Sequence, residues 1–162
     1  MLTEHQKFVQ LTEQVLLDDL PYSSTLPVGN WLTGIKRPDV LILQKSARGM
    51  TSGNKLHLWM GSHDNVFIVE CKIKENDVRN SVFQLMMAMC GFRGRKIIDL
   101  HHGGIRPALA VSSKLKEILK EKELLETFIQ VYEELHFSIV VIEENKTTDW
   151  IVWGDDTFYG ND

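Results

Sequence analysis

PDVLIL (38–43) and VFIVECK (66–72) decide how this chain reads. Both are apolar runs of strand length, rich in strand-forming residues, and each carries charge at one end. Asp39 opens the first run directly after Pro38, and Glu70 and Lys72 close the second around Cys71. Alternation along a strand puts Glu70 and Lys72 on one face and Cys71 on the other. Where two such strands pair, Asp39 lies beside Glu70. Two carboxylates converging near a lysine suit a hard cation. Mg2+ takes oxygen ligands, commonly one or two carboxylates with waters and substrate phosphates. The lysine is then available to orient or deprotonate a water, or to stabilise developing charge.

Outward from these strands the chain alternates helix and strand. Residues 2–20 space Phe8, Val9, Leu11, Val15, Leu16 and Leu20 as one helix face, and Pro21 and Pro27 end it. Residues 44–64 are polar and glycine-dotted around an alternating LHLWM (56–60), an inserted hairpin or loop. Beyond Lys72, an N-cap near residues 76–78 predicts a helix from Asp77 to Cys90, stopped by Gly91 and Gly94. ALAVSS (108–113) reads as a buried strand, and residues 114–136 as one long helix or two short ones. FSIVVIEE (137–144) and DWIVWG (149–154) read as a terminal hairpin. The expected class is therefore α/β, a central mixed β-sheet flanked by helices in a single domain.

Composition excludes several classes. The chain has 162 residues, 43% hydrophobic and 25% charged, as in globular domains rather than disordered chains. No apolar run approaches the ~20 residues of a membrane-spanning helix, and MLTEHQKFVQ is no secretory signal. Two cysteines, Cys71 and Cys90, are too few for a disulfide framework or a CxxC metal site. An intracellular protein with reduced thiols, cytoplasmic or nuclear, is the expectation. The net charge of −4 hides an asymmetry: residues 36–106 hold twelve Lys and Arg against six Asp and Glu, while residues 143–162 hold one Lys against six acids. A basic middle can present one positive face to phosphate backbones.

Pro38-Asp39, then Glu70-x-Lys72, then a helix carrying Gln84, resembles the PD-(D/E)xK nuclease superfamily, the restriction-endonuclease-like fold. The tyrosine often found four residues after the glutamine is absent, with Ala88 in its place. The resemblance implies a Mg2+-dependent endonuclease hydrolysing DNA phosphodiester bonds, with Mn2+ able to substitute. It implies that Asp39, Glu70 and the backbone carbonyl of Cys71 hold the metal, that Lys72 positions or activates water, and that Gln84 steadies Lys72 or a phosphate. A first-helix acid often joins the metal in this family, here Glu13 ahead of Glu4. DNA contacts are expected from Lys36, Arg37, Lys45, Arg48, Lys55, Arg93, Arg95 and Lys96. Small members act as homodimers, so a homodimer or higher homo-oligomer is expected. The alternative is a non-catalytic nucleic-acid-binding or assembly module of the same fold. His101 and His102 read as loop, the four tryptophans as core or dimer contacts, and Met86, Met87 and Met89 as core filler.

Overall fold

The computed structural model describes residues 1–25, 38–44, 64–94 and 103–154, with the side chains of Asp64, Phe92, Arg93, Gly94 and Gly103 outside the description. The first helix, α1 (Glu4–Asp19), starts at a capping box. The Gln6 N–H donates to Thr3 Oγ1, and the Thr3 N–H donates to Gln6 Oε1. A short strand, β1 (Ser23–Thr25), follows Pro21; it was not expected from the sequence. The two decisive runs become β2 (Val40–Gln44) and β3 (Asp64–Lys72). The inserted segment expected at 44–64 lies almost wholly outside the described residues.

The helix expected over 77–90 is two helices, α2 (Glu75–Val78) and α3 (Ser81–Gly94). The Ser81 hydroxyl donates to the Val78 carbonyl at 2.6 Å. A side chain thus serves a carbonyl at the helix end, which helps close α2 there. Strand β4 (Gly103–Ser112) begins five residues before the expected ALAVSS. Its Pro107 has no N–H, but β5 pairs with β4 only from Ala108 onward, so on that side the ladder has no bond to lose. Residues 114–136 divide into α4 (Ser113–Glu121) and α5 (Leu125–Glu134), with Glu123 at a φ of 58° between them. The chain closes with β5 (Ser138–Ile142) and β6 (Thr148–Val152).

Among the described residues these strands form one six-stranded mixed sheet in sequential order. Neighbours pair antiparallel, except that β3–β4 and β4–β5 are parallel. Both parallel crossovers carry their helices to one face, as right-handed connections in a single direction require. Leu41, Leu43, Val66 and Ile68 meet Leu85, Leu115 and Tyr132 on that face. Val40, Ile42, Phe67 and Val69 meet Phe8 and Leu16 of α1 on the other. Burial on both faces explains why the central strands read as continuous apolar runs. No helix among the described residues is long and apolar enough to cross a membrane.

One packing expectation is corrected. Met89 packs against the core, but Met86 and Met87 are exposed, together with Phe83. Leu85 and Ala88 set the buried line of α3, and helical spacing turns residues 83, 86 and 87 away from it. Leu85→Ala should therefore destabilise the fold by about 2–5 kcal/mol, while Met87→Ala should stay within about 0.5 kcal/mol of wild type. Urea unfolding of both variants measures the difference.

Candidate functional site

The β2–β3 ladder ends at Val40↔Val69, and Asp39 lies in a bend just before β2. Alternation along β3 puts Glu70 and Lys72 on the side of the sheet that carries α3, and Cys71 on the side of α1. Glu70 and Lys72 are both buried, at 1% and 9% exposure.

Pro38 has no N–H to give Cys71 across the ladder, and side chains complete the bonding instead. The Cys71 N–H donates to Asp39 Oδ2 at 2.8 Å. The Cys71 carbonyl accepts from His5 Nε2 at 2.9 Å. A carbonyl has no proton to offer, so Nε2 carries the hydrogen in this contact. The same Nε2 stands 3.5 Å from Asp39 Oδ2. Three groups far apart in sequence therefore converge on one corner at the end of β3: the Asp39 carboxylate, the Cys71 carbonyl and the His5 imidazole.

The remaining surroundings separate the reactive candidates from the inert one. The Cys71 thiol is pushed well up, first by burial and then by the negative charge of Asp39. It stays protonated at neutral pH and is no nucleophile. On the other face, burial is also the main cause raising the Tyr132 hydroxyl, and the Glu70 charge adds to it. Tyr132 shares a hydrogen bond with Ser81 at the start of α3. Gln84 lies one turn beyond Ser81, and its Oε1 is buried and accepts no hydrogen bond among the described residues. A buried amide oxygen without a donor is costly, about 1–3 kcal/mol, and is available to a ligand or a moved side chain.

Of the first-helix residues, the structure brings His5 to this corner. Glu13 lies eight residues beyond His5, about 12 Å along the helix axis at 1.5 Å per residue. The α1 residue that reaches the corner is His5, with exposed Glu4 beside it. The sequence reading passed over His5; its place in the first turn of an amphipathic helix, beside Glu4, was the available signal. Among the described residues no three His, Cys, Asp or Glu side chains form a metal cluster by themselves. Lys36, Arg37, Lys45, Arg48, Lys55, Arg95 and Lys96 lie outside the described residues, as do His101, His102, Trp31 and Trp59. Arg93 is described only as backbone in α3.

No protein-family model matches the chain, and no curated protein matches it in sequence. Two solved structures resemble its fold. One is an XisH family protein from Nostoc punctiforme PCC 73102, and the other is a fdxN element excision controlling factor protein from Anabaena variabilis. Each is 15% identical, with a TM-score of 0.48, over 90% of this chain and 98% of the other.

The burial contrast between the two thiols is directly measurable. In the native protein at mildly alkaline pH, a thiol reagent should modify exposed Cys90 and spare buried Cys71. Both should react once the chain is unfolded in guanidinium. A second fast native thiol would show that the α1 face of β3 is open.

Proposed function

We propose that this chain is a divalent-metal-dependent nuclease acting on DNA, with its centre at the Asp39–Cys71–His5 corner. The observation that carries the reading is the convergence of Asp39 Oδ2 and the Cys71 carbonyl on one N–H, that of His5 Nε2. A positively polarised group already stands where two oxygens of the kind that bind hard cations come together. His5 Nε2 stands 2.9 Å from the Cys71 carbonyl oxygen and 3.5 Å from Asp39 Oδ2, and a carboxylate and a backbone carbonyl are oxygen donors of the kind such ions take. The donor set thus fits Mg2+ or Mn2+.

Asp39 and the Cys71 carbonyl would hold the ion, with Glu70, the residue before Cys71, as a further candidate ligand and His5 as the nitrogen neighbour. Bound there, the ion supplies Lewis-acid polarisation of a phosphodiester and a water of lowered pKa. The chain's own residues do the rest. Lys72 shares the Glu70 face, where its ammonium can orient the attacking water or meet charge developing on the phosphate. Its burial removes competing solvent and strengthens that interaction. Gln84 offers an acceptor from α3 on the same face. Burying Glu70 as an anion costs several kcal/mol unless cationic groups lie near, and the neighbouring lysine and a bound cation both offset it.

Cleavage and metal binding separate the roles. Lys72→Ala should lower nicking of supercoiled plasmid by about 10²–10³-fold while leaving Mn2+ binding by calorimetry intact. Lys72→Arg should not restore activity, because the guanidinium is wider and does not release its proton. Asp39→Ala should remove both metal binding and cleavage. Wild-type cleavage by Lys72→Ala would overturn the nuclease reading.

A further inference from the structure

A groove of about 1040 Å3 opens beside the corner. It crosses the C-terminal ends of the parallel strands β3 and β4, between the start of α1 and the starts of α2 and α4. This is the end of a parallel sheet at which ligands commonly bind. His5 belongs to both places: it lines the groove and touches Asp39 and the Cys71 carbonyl.

Lys7, Lys74, Lys114 and Lys122 line the same groove. The first three are exposed and pair with no acid among the described residues. Lys122 is paired with Glu75, which neutralises one of the groove's three acids. Glu4 and Asp77 are left against three unpaired lysines. Local charge here runs against the net −4 of the chain. At the start of α4, Ser112 Oγ accepts from the Leu115 N–H, and the preceding first-turn N–H groups add a positive edge. Ile73 and Ile118 make part of the lining apolar, which suits the faces of bases better than a small inorganic anion.

We propose that this groove holds one strand of DNA by its phosphate backbone and leads it to the Asp39–Cys71–His5 corner. The proposal rests on the nuclease reading for what happens at that corner, but not for binding itself. Lysines along a groove that follows a strand, with apolar surface for bases, are the usual construction for single-strand binding. The volume accommodates a short stretch of one strand rather than a duplex.

The test is fluorescence anisotropy with a labelled single-stranded oligodeoxynucleotide of about 12 nucleotides, in chelator, over about 50–200 mM salt. The full chain is compared with a triple variant, Lys7→Gln/Lys74→Gln/Lys114→Gln. Thermal melting confirms that the variant folds. The triple variant should bind at least about tenfold more weakly. Its log–log salt slope should be shallower by about 2, since each phosphate contact on a single strand contributes about 0.7. Lys146→Gln, in the β5–β6 turn outside the groove, should bind like wild type. Wild-type affinity and slope in the folded triple variant would overturn the proposal. So would a wild-type protein that binds duplex but not single strand. Because the assay needs neither metal nor cleavage, failure of the nuclease reading would show only in the plasmid assay, and failure of the groove only here.

Discussion

The backbone of Cys71 is the point on which the site depends. The β2–β3 ladder ends at Val40↔Val69, and extending its register would set Cys71 against residue 38. That residue is proline, so the ladder cannot donate to the carbonyl. Buried backbone groups must find partners, and here two side chains supply them. Asp39 accepts the N–H and His5 donates to the carbonyl. The end of a β-ladder thereby becomes a small polar corner, with a carboxylate and an imidazole held by the same residue they serve.

The sheet around that corner explains its precision. Strands β3 and β4 pair from Asp64↔Gly103 to Lys72↔Val111, so β3 is supported along its length. Packed cores cover both faces. A one-residue slip of β3 would send Glu70 and Lys72 to the α1 side and Cys71 to the other, and would bury apolar side chains against the wrong layer. Register is therefore held by the hydrophobic pattern. The Glu70 and Lys72 side chains inherit their face from it. Burial of Glu70 and Lys72 follows from the same constraint, because α2 and α3 pack against β3.

The two sides of β3 have different chemical characters as a result. On the α1 side, Cys71 sits among Phe8, Leu16 and Val69 with a thiol that keeps its proton. On the α3 side, Glu70, Lys72, Ser81, Tyr132 and Gln84 introduce polar groups into an otherwise apolar layer. α1 nevertheless reaches the site, because its first turn extends to the end of β3 and not merely across its face. That is why His5 reaches the Cys71 carbonyl, while Glu13 lies about two turns farther along the helix.

Much of this was legible in the chain itself. The strand carrying Glu70 and Lys72, their shared face and the mixed α/β class all follow from local alternation, which is a property of consecutive residues, whereas Asp39, expected to open a strand, lies in the bend before β2. The hairpin of β5 and β6 was legible for the same reason. The split at Ser81, the early start of β4 and the exposure of Met86 and Met87 were not, because a cap, an unpaired ladder side and helix phase depend on what lies alongside. His5 offered only its place in the first turn of α1 as a signal, because it meets the Cys71 carbonyl across 66 positions. The groove lysines were equally scattered, on α1, after β3 and at the start of α4. Periodicity tells which way a residue faces within its own element. Only the packing of α1 against β3, and of both parallel strand ends beside α4, decided which faces meet.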